Sequence, residues 1–378
     1  MNFLEKRCLE DLSLREAAGL YRQTRTWNPE SAILNLANND YLGLATHPEV
    51  KRAAIEATER FGCSSSASPL VTGFLPPHEA LVERLAEWHE VPPERVMLWN
   101  SGFTANRSVL GIFPKKGDLV LADRLVHNSM LAGILSSGAQ LVRYDHLDLE
   151  HLESQLKQRG SGRNAFVATE SVFGMDGDSP DLESLAELRD RYGFCLVLDE
   201  AHALGWFGEK GSGFGEQTGL SHEIDVLVGT LGKGLGSQGA YTVFKETSCR
   251  KLLENLAGDY VYSTFLPPAC SAASCKAIEI TEELAQKRPN WQESAAAFRL
   301  ELVASGLKTI PGNSPVIPIV LKENNLVVQA ADKLLENGMK VASIRPPTVP
   351  EGTARLRLSL KAGMQLEGLA KTLADSIP

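Results

Sequence analysis

Two regimes of hydrophobic and polar patterning divide the chain. From about residue 47 to 245, short apolar runs rich in Val, Leu and Ile alternate with stretches of helical periodicity: DLVLAD (118–123), AFVATE (165–170), CLVLDE (195–200), DVLVGT (225–230) and AYTVF (240–244). Runs that are apolar nearly throughout mark strands buried on both faces, and strands alternating with helices predict a mostly parallel sheet covered on both sides. Each run ends in a polar or small residue, and chemistry in such sheets gathers at the carboxyl ends of the strands. Beyond residue 270, long helical stretches precede PVIPIVL (315–321), another helix, KVASI (340–344) and ARLRLSL (354–360), the pattern of a smaller α+β domain. At the amino end Leu4, Leu9, Leu12, Ala17 and Leu20 recur at near-helical spacing and predict an amphipathic helix whose apolar face needs a partner. The expected organisation is a helical segment over 1–45, a large α/β domain over 46–275 and a small domain over 276–378.

Composition narrows the class. A chain of 378 residues has room for one large core and an appendage, and 43% hydrophobic with 22% charged residues argues against disorder. A net charge of −9 argues against a sequence-independent grip on nucleic acid. The opening MNFLEKRCLEDLSLREAAGL breaks its apolar positions with both charge signs, and no apolar run approaches the roughly 20 residues that span a bilayer, so neither export nor membrane insertion is expected. Six cysteines without a CxxC pair suit a reducing cytoplasm. DGDSPD (176–181) fails as a calcium loop because Asp181 stands where glycine is required, and no metal site is expected.

Candidate chemistry lies at the strand ends. Lys233 in GTLGKGLGSQGA sits between a buried strand and a glycine-rich turn. A loop lysine is ordinarily a solvated charge. Glycines on both sides let backbone and ligand approach closely, however, and a lysine in a largely dry site can lose its proton and attack a carbonyl, as in covalent attachment of pyridoxal 5'-phosphate. A P-loop reading fails because Gly234 follows Lys233 where Ser or Thr is needed. Asp199 ends the apolar run CLVLD; it reads equally as a cap for the next segment or as a carboxylate that keeps a pyridine nitrogen protonated. His202, three residues on, reads either as a packed or solvated histidine or as a donor to that cofactor's phenolic oxygen. WNSGFTANRSVL reads as strand, turn and helix, with the amides of Gly102 and Phe103 at the positive end of the helix as a phosphate site and Thr230 adding a hydroxyl. His127 follows another strand and either caps its helix or stacks on a cofactor ring.

The ordered set ANNDYLGL (37–44), SGFTAN (101–106), ADRLVHNS (122–129), TESVFGMDGD (169–178), DEAH (199–202), GTLGKGLG (229–236) and YSTFLPP (262–268) resembles the α-oxoamine synthases over nearly the whole chain. The resemblance implies the fold-type I architecture of pyridoxal-phosphate transferases, with a mostly parallel seven-stranded sheet, and a homodimer with active sites shared across the interface. Carried over, it assigns Lys233 to the cofactor aldehyde, Asp199 to the pyridine nitrogen, His202 to the phenolic oxygen and His127 to stacking. It places Thr264 on the phosphate from the second subunit, Asn39 beside the amino acid and Arg22 against substrate, while a stacked His127 is also a candidate donor to substrate. SIRPPTVPEGTARLRLSL (343–360) is most similar to members that condense L-alanine with a pimeloyl thioester, on coenzyme A or a carrier protein, on the way to biotin; members using glycine, serine or 2-aminobutyrate are the alternative. There Arg345 offers a planar charged fork for a substrate carboxylate and Thr348 a hydroxyl. Two departures stand out. Gly174 replaces a usual hydroxyl residue, removing one expected bond to the cofactor, and CSSSASPLVTG (63–73) replaces a glycine-rich stretch.

Overall fold

The computed structural model describes residues 2–29, 32–160 and 162–377. The chain folds as two units, Asn39–Gly174 with Asp178–Gln292, and Met1–Asn38 with Met175–Gly177 and Glu293–Pro378.

The larger unit is built on seven strands: β1 (Val96–Trp99), β2 (Leu119–Asp123), β3 (Gln140–Tyr144), β4 (Ala165–Glu170), β5 (Cys195–Asp199), β6 (Val226–Thr230) and β7 (Ala240–Phe244). Their order is β1-β7-β6-β5-β4-β2-β3. Only β7 runs antiparallel to its neighbours. The apolar runs of the sequence are these strands, and their side chains pack on both faces: Trp99, Leu121, Val167, Leu198 and Val228 are at most 1% exposed. The edge strand β3, QLVRY, has no unbroken apolar run because much of it is exposed or half-buried. Asp123, Glu170, Asp199 and Thr230 end four parallel strands on one edge of the sheet, with Glu170 directly opposite Asp199 in register.

A buried charge cluster pins this edge. His146, just after β3, lies 2.9 Å from Asp123 Oδ1 through Nδ1 and 3.1 Å from Asp178 Oδ2 through Nε2. Burial alone would lower the pKa of the imidazole, but its hydrogen bonds to Asp123 and Asp178 outweigh that and raise it to about 10. With the folded pKa above the unfolded value, this stabilisation is complete below pH 6.5 or so and is lost as pH rises through about 10. Removing the cation leaves the fully buried Asp123 carboxylate with the Leu125 and Leu147 N–H groups but no countercharge, so His146→Ala is expected to lower unfolding stability by about 3 kcal/mol. Urea titrations of both proteins at pH 7 and pH 10.5 check this: the difference should shrink at the higher pH, and a constant difference would refute the ionic account.

The smaller unit holds a three-stranded antiparallel sheet of β8 (Val316–Lys322), β9 (Ala342–Ile344) and β10 (Ala354–Ser359) in the order β9-β10-β8. Every residue of β10 is buried; its Arg355 pairs with Asp176. A short parallel pair, Leu34–Asn35 against Met339–Lys340, ties the amino-terminal stretch to this unit. The amino-terminal helix forms over Phe3–Ala17, capped by Asn2, whose side chain accepts the Glu5 N–H at 2.9 Å. None of its residues is buried: Phe3 is 82% and Leu14 70% exposed. The partner that its apolar spacing calls for is therefore not supplied by the described residues of this chain.

Candidate active site

The site grows from the carboxyl edge of the large sheet. The turn after β6 brings the half-buried Lys233 Nζ to 2.9 Å from His202 Nε2, on the segment after β5. The other ring nitrogen, Nδ1, lies 2.6 Å from Tyr41 Oη. Tyr41 is fully buried and His202 is 7% exposed, so the imidazole is held at both nitrogens inside the protein.

Asp199 is also buried and fixed at both oxygens: Oδ2 accepts from Asn106 Nδ2 at 2.6 Å and Oδ1 from the Ala201 N–H at 2.8 Å. Two donors of this kind fix the carboxylate in one orientation. His127 caps the helix Asn128–Ser137, its Nδ1 accepting the Ser129 N–H at 3.3 Å. A neutral imidazole whose Nδ1 accepts carries its proton on Nε2. Burial holds the His127 pKa below its ordinary value, with Lys233 adding to the effect and Asp199 opposing it, so the ring is neutral at pH 7. The cap uses only Nδ1, so capping and ring contact, alternatives in the sequence, are compatible.

Glu170 binds the same residue from behind, its Oε1 accepting the His127 N–H at 2.6 Å. Burial and the nearby Asp199 carboxylate push the Glu170 carboxyl up to about 8, against the pull of Lys233. At the end of β1, Ser101 caps the helix Gly102–Ile112, accepting the Thr104 N–H at 3.2 Å. The amides of Gly102 and Phe103 open this helix, where no intrahelical acceptor exists. Thr230 lies alongside: a Cβ at Gly102 would come within 2.5 Å of its Cγ2, so only glycine allows the approach. A half-buried amine, a doubly supported carboxylate and helix-start amides beside a hydroxyl fit a phosphorylated pyridine aldehyde by the chemistry of their donors.

Asn39 lies in the same unit, its Oδ1 accepting from Tyr41 Oη at 3.3 Å. Thr264 is exposed, and its carbonyl accepts from Asn100 Nδ2 at 2.9 Å. CSSSASPLVTG is bound to the segment that follows Thr264, through Ser65 Oγ to the Leu266 carbonyl at 2.6 Å and the Phe265 N–H to the Ala67 carbonyl at 3.0 Å. Arg22, Arg345 and Thr348 gather in the smaller unit. Arg22 Nη2 donates to Thr348 Oγ1 at 2.9 Å and Arg345 Nη1 to the Gly19 carbonyl at 2.6 Å. Burial and the Arg22 charge hold the Arg345 pKa below its usual value, the electrostatic condition of a site that attracts an anion.

Three site residues lay unremarked inside motifs already noted: Tyr41 in ANNDYLGL, Asn106 in SGFTAN and Glu170 in TESVFG. Glu170 alone carried a local signal, a carboxylate ending an apolar run. Gly174 acquires a geometric meaning as well, since a Cβ there would sit 2.4 Å from His202 Nε2.

Residues 31–376 match the model of the aminotransferase class I and II family, which defines the class of this fold and site. The chain is 41% identical to the 8-amino-7-oxononanoate synthase of Anaeromyxobacter dehalogenans over 97% of its own length and 94% of that protein. It is also 41% identical to the synthase of that name from Geobacter sulfurreducens, over 96% of this chain and 94% of that one. Among solved structures, the 8-amino-7-oxononanoate synthase of Francisella tularensis superposes with a TM-score of 0.77 at 28% identity, covering 91% of this chain and 96% of that one. The serine palmitoyltransferase of Sphingomonas wittichii gives 0.89 at 25% identity, over 100% and 97%. The chain belongs to the 8-amino-7-oxononanoate synthase family.

Proposed function

We propose that this protein condenses L-alanine with a pimeloyl thioester, with loss of carbon dioxide, to make 8-amino-7-oxononanoate for biotin, using pyridoxal 5'-phosphate. The observation that carries the reading is the Lys233 amine at 2.9 Å from His202 Nε2, beside a buried Asp199, in a chain of this family. When bound, the cofactor supplies an electron sink for negative charge at the amino acid's Cα.

This chain's residues supply the rest. Lys233 would hold the cofactor through its aldehyde, and its amine is the group that would carry the Cα proton. Asp199 would keep the ring nitrogen protonated, His202 would donate to the phenolic oxygen, and His127 would cover the ring. The Gly102 and Phe103 amides with the Thr230 hydroxyl hold the phosphate, and Asn39 lies beside the amino acid. The new bond joins Cα to the thioester carbonyl carbon; the thiol departs, the carboxyl leaves as carbon dioxide, and a proton returns to Cα. Mass spectrometry after mixing protein, cofactor, L-alanine and pimeloyl-CoA, or the carrier-protein thioester, tests this. Absence of product from both thioesters refutes it.

Arg22, Arg345 and Thr348 form the proposed carboxylate site. Arg345→Ala is expected to raise the KM of one carboxylate-bearing substrate by about tenfold to a hundredfold, the worth of a charge-assisted pair at 1.4 to 2.8 kcal/mol or so, with a smaller change in kcat. Steady-state kinetics varying each substrate in turn check it, and equal changes in both KM values would rule out a dedicated site. The working form is a homodimer in which Thr264 reaches the phosphate bound by the other subunit, in a cytoplasm that keeps the free cysteines reduced. Light scattering gives the mass, and Thr264→Ala should weaken cofactor binding without dissociating the dimer.

A further inference from the structure

The geometry around His202 points to a positioning residue: we propose that Tyr41 fixes the tautomer of His202 and thereby favours the neutral amine form of Lys233. This deepens the reading of Lys233 given above and rests on it. The Tyr41 hydroxyl has a single proton, and His202 Nδ1 at 2.6 Å and Asn39 Oδ1 at 3.3 Å both lie within reach of it. The contact at 2.6 Å has the stronger claim, because a hydrogen bond weakens steeply towards 3.3 Å. With Nδ1 accepting, a neutral imidazole carries its proton on Nε2.

Nε2 faces Lys233 Nζ at 2.9 Å. An N–H there finds an acceptor only in the amine, since an ammonium has three donors and no lone pair. The row Tyr41, His202, Lys233 thus closes as O–H to Nδ1 and Nε2–H to Nζ. Exchange of the protons is the rival arrangement: Tyr41 donates to Asn39, His202 donates to Tyr41, and an ammonium donates to Nε2. Removing the tyrosine hydroxyl takes this donor from Nδ1 and lets the charge-assisted bond from an ammonium to Nε2 prevail.

Gly174 completes the device from the opposite side. A side chain at 174 would place its Cβ 2.4 Å from Nε2 and 2.9 Å from Cδ2, so the ring keeps its line to Lys233 only beside glycine. His127 and Glu170 both sense the Lys233 charge, and each also senses Asp199. They are common to the parent protein and the variant, so comparison with Tyr41→Phe isolates the hydroxyl.

The test begins with the full-length protein free of cofactor and labelled with nitrogen-15 at histidine, His202 being assigned by its loss in His202→Gln. Long-range proton–nitrogen spectra should show the His202 proton on Nε2, and a proton on Nδ1 would overturn the proposal without any need of a tyrosine variant. In Tyr41→Phe, which keeps the buried ring, the His202 signals should move to the other tautomer or to a mixture. The rate at which Lys233 captures pyridoxal phosphate at pH 7, followed by absorbance, should fall about tenfold, as for a lysine whose pKa rises by about one. Gly174→Ala should disturb the His202 signals as well. Identical His202 spectra and superimposable rate–pH profiles for the parent and Tyr41→Phe would overturn the idea. Failure of the parent protein to capture the cofactor would instead refute the reading of Lys233 itself, a separable result.

Discussion

Lys233→Ala is expected to produce no measurable 8-amino-7-oxononanoate, whereas His127→Ala retains a residue of activity. The difference follows from how many tasks each side chain has. Lys233 is assigned both the covalent hold on the cofactor and the transfer of the Cα proton, from a position 2.9 Å from His202. General acid–base groups contribute about 10² to 10⁴ in rate, so loss of proton transfer alone is already severe, and losses of residues that act as one unit do not simply add. His127 is neutral, and its backbone N–H is bound to Glu170 whatever side chain it carries. Truncating its ring removes a cap on the helix Asn128–Ser137 and, on the proposed reading, a cover over the cofactor, but leaves the Lys233 amine in place. Product formation measured over hours distinguishes the two variants, and borohydride reduction with peptide mapping should find no cofactor on the Lys233→Ala chain. Equal residual rates for the two variants would show that the division of roles is wrong.

Much of this site was legible in the sequence because its residues sit where strands stop. A long apolar run ending in a charged or small polar residue identifies both a buried parallel strand and the group at its mouth, and Asp199, Glu170 and Thr230 each end such a run. The edge strand β3 carried no such signature, since its exposed positions relax the demand for apolar residues. Contacts across long sequence separation were the least legible. Tyr41 and His202 are 161 residues apart, and nothing in ANNDYLGL indicates that its tyrosine is completely buried against an imidazole. The same holds for Asn106, which supports Asp199 from 93 residues away. Gly174 gains a second meaning in three dimensions. In sequence it reads as a missing hydroxyl, but in the fold the space that a side chain would need is filled by the His202 ring, so the glycine and the position of the histidine are one feature. The amino-terminal helix formed where its spacing put it, while the surface to cover it had to come from outside the described residues. Periodicity specifies that a face is apolar, not what meets it.

Asp199→Asn is expected to reduce kcat by about a thousandfold, or ~4 kcal/mol of transition-state stabilisation, with the protein still folded. The side chain changes neither length nor branching, so the packing around it survives. Its hydrogen bonding does not. Asp199 accepts from two donors, Asn106 Nδ2 at 2.6 Å and the Ala201 N–H at 2.8 Å, and an asparagine can satisfy only one of them with its oxygen while its own NH₂ faces the other. The larger loss is electrostatic, because a neutral amide gives the ring nitrogen no anion to keep it protonated, and the carbanion at Cα is then delocalised less effectively. These two contributions can be separated. A cofactor analogue methylated at the ring nitrogen carries a permanent positive charge and needs no carboxylate to hold a proton there. It should restore much of the rate to Asp199→Asn if charge is the main loss, and little if disorder of Asn106 and Ala201 dominates. Retention of kcat within a few-fold in the unaided variant would mean that Asp199 is only a segment cap, the plainer of the two roles its position at the end of β5 suggested.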